Sequence, residues 1–95
     1  MENESKEVYF VFMNFDPEYE RLQADRSKEG SNALNAYLTK KHDKLLAKHF
    51  RANTYIKRSS LAIIDGFPVE LTEHQANILR SANEVRLVEK NQELS

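Results

Sequence analysis

The sequence predicts an α+β fold, a ferredoxin-like βαββαβ sandwich in which a four-stranded antiparallel sheet carries two helices on one face. Three observations carry this prediction. Val8, Tyr9, Phe10, Val11, Phe12 and Met13 form an unbroken run of strong β-formers. Residues 31–50 hold leucines at helical spacing behind a serine cap. Thr72 and Gln75 have capping-box spacing, ahead of a short helix and a last β-rich run.

The first strand covers residues 7–14. Successive side chains alternate between faces, so this run is apolar on both. One face covers the core, and the other needs a partner or forms an apolar surface patch. Residues 15–30 are polar, with Pro17 early and Gly30 late, and read as a loop with a short helical turn around Glu18 to Ala24. A loop of that length in a small domain is mobile or functional. Ser31 caps the main helix, residues 31–50. Leu34, Leu38 and Leu45 share one stripe with His42 and His49 at its margin, and Lys40, Lys44 and Lys48 form a second stripe at spacing four. Residues 54–61 read as the second strand, 62–65 as a turn and 66–71 as the third strand. Pro68 has no N–H for a ladder, which puts that strand at an edge or breaks it locally. The second helix follows Thr72 to about Ala82 and buries Ala76 and Leu79. Residues 85–90 form the last strand. The domain is thus residues 7–90, between a flexible stretch (1–6) and a tail (91–95).

Ninety-five residues suffice for one domain with a modest core. The absence of cysteine removes disulfides, a thiol nucleophile and thiolate metal ligands. Fourteen basic against fifteen acidic residues argue against non-specific nucleic-acid binding. The polar start lacks the apolar core of a signal peptide, and no apolar run is long enough for a membrane span. A cytoplasmic protein is the default expectation, or an extracellular one if a signal has been removed. Two glycines leave no phosphate-cradling loop.

No catalytic set emerges. The serines occupy a helix cap, a strand and the tails, and no nucleophile-elbow pattern is present. His42 and His49 sit roughly 10 Å apart along their helix, too far for one ion, and His74 starts another helix. The three histidines read as polar boundary residues, so no metal or other cofactor is expected. The Lys40, Lys41, Lys44 and Lys48 series reads as a solvated helix face. An RNA-binding or small-ligand role on this fold competes, since fold alone does not set function. RNA-recognition strands alternate a cation, a glycine and aromatics. Residues 65–71 offer Asp65 where the cation belongs, Pro68 in the middle and only Phe67 as an aromatic.

From Leu38 onward four stretches, residues 41–46, 65–69, 71–76 and 85–89, stand in an order and spacing that together resemble the propeptides of plant subtilisin-like proteases. Lys41-His42-Asp43-Lys44-Leu45-Leu46 resembles the first-helix motif in which a histidine precedes a leucine pair. Asp65-Gly66-Phe67 followed by Val69 resembles the Asn-Gly-Phe-Ala turn into the third strand. Leu71-Thr72-Glu73-His74-Gln75-Ala76 resembles the Leu-Thr-x-x-Gln-Ala start of the second helix. Val85-Arg86-Leu87-Val88-Glu89 resembles the Gly-Val-x-x-Val of the last strand, with Glu84 in place of the glycine. Their order and spacing together carry the likeness.

The resemblance implies a protein inhibitor rather than an enzyme, with a subtilisin-like serine protease as partner, and a monomer when free. It also implies an intramolecular-chaperone-like folding role as the alternative. Such propeptides lay the open sheet face on two protease helices and run the C-terminal tail into the substrate cleft by strand addition. The sheet-face contacts expected here are Tyr9, Phe10, Val11, Phe12 and Met13. Glu89 matches a carboxylate that caps the protease helices, worth about 0.3–1 kcal/mol when exposed. Asn91 stands where the family often has Asp. Gln92, Glu93, Leu94 and Ser95 form the inserted tail, which ends about two residues short of the family's usual end. In one register Leu94 fills the S4 pocket and Ser95 lies near S3. In the other, Ser95 reaches S1 and Gln92 lies near S4.

Overall fold

A computed structural model describes residues 5–91. Along the chain run β1 (Glu7–Met13), α1 (Pro17–Gln23), α2 (Lys28–His49), β2 (Ile56–Lys57), β3 (Gly66–Leu71), α3 (Glu73–Arg80) and β4 (Val85–Lys90). The four strands form one antiparallel sheet in the order β2-β3-β1-β4. This α+β arrangement agrees with the ferredoxin-like order, but three helices accompany the sheet rather than two.

The core explains the order. Tyr9, Val11 and Met13 of β1, Phe67, Val69 and Leu71 of β3, and Val85 and Val88 of β4 are buried on one face of the sheet. Leu45 and Leu46 of α2 and Ala76 and Leu79 of α3 close over them. The N-terminal half of α2 packs elsewhere. Its Leu34 and Leu38 enclose Tyr19 of α1 in a second cluster. The polar segment read as a loop therefore includes a helix, because Asp16 accepts the Glu18 N–H, Pro17 presets the first turn and Tyr19 is an apolar anchor.

The main helix starts earlier than expected. Ser27, not Ser31, is the N-cap, and its hydroxyl accepts the Gly30 N–H at 3.0 Å. Gly30, read as a loop residue, lies inside the first turn. A Cβ there would come within 2.4 Å of the Asp25 side chain and backbone, so the helix tolerates glycine in exchange for a tight α1–α2 connection.

The second strand is shorter than residues 54–61. The β2–β3 ladder pairs Ile56 with Glu70 and Lys57 with Val69. The next pair would be Arg58 with Pro68. Arg58 donates its N–H to the Pro68 carbonyl at 2.9 Å, but Pro68 has none to return, and regular pairing stops there. Pro68 thus breaks the ladder locally, although β3 itself is an interior strand. The Thr72–Gln75 capping box forms in both directions, and α3 ends at Arg80, slightly before Ala82.

Candidate functional site

Alternation along β1 decides which side chains lie outside the core. Tyr9, Val11 and Met13 point under the helices and are buried, whereas Val8, Phe10 and Phe12 face the other way and are half-buried. Three of the five expected sheet-face contacts, Tyr9, Val11 and Met13, are therefore core residues. The period of two, applied to the helix-covered side, forces that division. Phe10 and Phe12 remain on the open face.

Register adds their neighbours. Phe12 stands between Gly66 of β3 and Leu87 of β4, and Phe10 between Pro68 and Glu89. A Cβ at Gly66 would lie 2.6 Å from the Val11 carbonyl oxygen and 3.2 Å from Cδ1 of Phe12, so the glycine answers first to the close approach of the β1 backbone and then to that ring. Leu87 is 39% exposed, high for a leucine in a sheet. The result is an apolar strip of Val8, Phe10, Phe12, Pro68 and Leu87 across three strands. Glu89 is exposed beside it. Asn91 donates its N–H to the Val8 carbonyl at 2.8 Å and so continues the line of β4. Gln92, Glu93, Leu94 and Ser95 lie outside the described residues.

The charges around the strip are partly compensated. Arg58 pairs with Glu70 on this face, whereas Lys90 and Glu7, 3.2 Å apart, lie on the helix side, opposite Tyr9 and Leu71 respectively. The Arg86 guanidinium sits 5.8 Å from the centre of the Phe12 ring.

On the helix side, a polar cluster fastens the segment between β2 and β3. Lys41 Nζ lies 2.8 Å from Asp16 Oδ2 and 2.6 Å from Asp65 Oδ2. Tyr37 donates its hydroxyl to Asp16 at 2.5 Å. His42 is wholly buried against Phe67, with ring centroids 4.6 Å apart. Its Nε2 lies 2.8 Å from Asp65 Oδ1 and its Nδ1 2.7 Å from the Ser60 hydroxyl. Burial would raise the Asp65 carboxyl, but hydrogen bonds from His42 and Lys41 outweigh it and hold the group below its ordinary value. Burial also pushes the His42 imidazolium toward the neutral form, against the pull of Asp65. With Asp65 ionised and His42 neutral, Nε2 carries the proton and Ser60 donates to Nδ1.

His42 is thus a core residue and not a boundary one, and Lys41 leaves the solvated lysine series to become half-buried. The sequence signal for both was present in the helical stripe. What it lacked was the partner: Asp65 has φ of 47°, a left-handed turn that aspartate tolerates, and this turn brings its carboxylate back to α2. Lys48 pairs with Glu84 at 2.8 Å, while Lys40 and Lys44 are exposed beside Phe15 and Leu45 at a groove near the end of β1. Among the described residues no cluster of three or more His, Asp or Glu could hold a metal ion, and no helix is long and apolar enough to cross a membrane.

One face of the sheet is thus covered by α2 and α3, and the other is left open. The family model for peptidase inhibitor I9 matches residues 8–95, and the chain belongs to that family, the subtilisin propeptide family. The match does not single out its plant branch. Comparisons with curated proteins and with solved structures gave no match. The family is inhibitory rather than catalytic, which fits a clasp role for Ser60, His42 and Asp65, although their connectivity has the order of a serine–histidine–aspartate relay.

Proposed function

We propose that the chain inhibits subtilisin-like serine proteases by laying the open sheet face on the enzyme surface and passing residues 92–95 into the substrate cleft. The observation that carries this reading is the strip of Phe10, Phe12 and Leu87 beside the exposed Glu89, in a chain of the I9 family. Large apolar side chains left together on an otherwise covered sheet mark a protein contact. Glu89 stands at its border, where a carboxylate is favourable against free N–H groups at a helix N-terminus. The same carboxylate, directly across from Phe10, disfavours the stacking of a polyanionic nucleic acid on that ring.

Titration of bacterial and plant subtilisin-like proteases with the intact chain tests the proposal. Stoichiometric loss of activity is expected, and full activity at micromolar inhibitor would overturn it. Removal of residues 92–95 should abolish inhibition and leave the fold intact. The family also supports a chaperone role, served by the same face. Refolding yield of a protease made without its propeptide reads that role separately.

A further inference from the structure

The pairing of β1 with β4 is regular from Tyr9–Lys90 to Phe12–Leu87 and then slips, so that Met13 faces Val85. Arg86 is the extra residue of a β-bulge. Bulges redirect side chains that alternation would send elsewhere. In β4 the burial runs buried, exposed, exposed, buried, exposed, exposed, so Arg86 and Leu87 both escape the core between buried Val85 and Val88. The guanidinium reaches the open face and lies over Phe12, one of the rings of the docking strip.

Arg58, also on this face, is matched by Glu70. Among the described residues, no carboxylate is within ion-pair distance of Arg86. When the strip is dried by a partner, an unmatched guanidinium loses water without compensation, and this is strongly unfavourable unless the partner supplies an anion. Arginine's planar group can stack on an aromatic ring and still present its edge to a carboxylate.

We infer that Arg86 is a specificity-determining contact, and that the protease this chain inhibits best carries an aspartate or glutamate opposite it. Glu89 lies three residue steps along the strand from Arg86, a span of about 10 Å. The acid therefore sits about 10 Å from the helix N-termini met by Glu89. A protease with a neutral or basic residue there is a poor target. This inference rests on the docking proposed above.

Inhibition constants for the wild type, Arg86→Gln and Arg86→Lys, measured against the most tightly inhibited protease at low and high salt, test it. Glutamine keeps a stem over Phe12 but removes the charge. At low salt Arg86→Gln should weaken inhibition at least 10-fold, Arg86→Lys less, and 0.5 M salt should shrink the gap. Inhibition by Arg86→Gln within twofold of wild type would overturn the inference, as would a loss that salt leaves unchanged, because that is lost packing and not a lost ion pair. Failure of the wild type to inhibit any subtilisin-like protease is a different result. It overturns the docking proposal itself and takes this inference with it.

Discussion

His42 Nε2 meets Asp65 Oδ1 at 2.8 Å, with the imidazole wholly buried and the carboxylate nearly so. Asp65 also accepts from Lys41, and one acceptor thereby joins α2 to the turn before β3. Asp65→Asn keeps the size and tolerates the left-handed backbone, but it removes the charge that both donors address. A loss of about 1–3 kcal/mol is expected, read as a lower urea midpoint at unchanged slope. Ser60→Ala removes only the hydroxyl donor at Nδ1 and should cost about 1 kcal/mol. If Asp65→Asn is neutral, the cluster does not fasten the turn.

The same cluster sets the pH response. His42 has a folded pKa below its ordinary 6.5, so the unfolded chain binds the proton first. Stability should therefore fall as pH drops below about 6.5 toward the folded value, and level off beneath it. Asp65 and Asp16 are also lowered, from 3.8; their contribution is present above that value and fades as pH falls through the folded ones. Denaturation midpoints between pH 7.5 and 3 should decline in two stages. A flat profile from 7.5 to 5 would show that His42 is not held neutral.

Two serines, four residues apart, make opposite predictions. Ser27→Ala removes the hydroxyl that accepts the Gly30 N–H and should cost about 1 kcal/mol. Ser31→Ala is exposed inside the helix and should be neutral or slightly stabilising, since alanine is the better helix former. Equal losses at both positions would place the helix start later.

The two faces of the sheet separate stability from recognition. Phe67→Ala empties a fully buried site against His42 and should cost about 3–5 kcal/mol, enough to unfold a marginal domain. Phe10→Ala and Glu89→Ala should leave thermal unfolding nearly unchanged and weaken inhibition. If Phe10→Ala inhibits as well as the wild type, the open face is not the docking surface.

Strands β1, β3 and β4 and the Thr72 cap were legible because propensity, alternation and a local side-chain motif agree there. Helix α1 was half legible, as a turn near Glu18, because its single buried residue, Tyr19, shows no periodicity. The start of α2 was misplaced because Gly30 reads as a breaker, whereas here it answers to the crowding of Asp25. Residues 58–61 do not extend β2, because Pro68 has no N–H to return to Arg58, and pairing resumes only as an isolated Leu61–Gly66 bridge. Phe10, Phe12 and Glu89 of the candidate site were readable from the strands. The redirection of Arg86 was not, since a bulge depends on how two strands match and not on either alone. Nor was the Asp65–His42 contact, which spans 23 positions and hinges on one left-handed residue.

The bond from Asn91 to the Val8 carbonyl fastens the end of β4 to the central strand. Under the proposed docking, the four residues that follow start from a fixed point once the sheet is seated. Their entry into a cleft then becomes a unimolecular step at a local concentration on the order of millimolar, as for short linkers. A tail segment too weak to bind as a free peptide would occupy the cleft when delivered in this way, and the sheet would set the residence time.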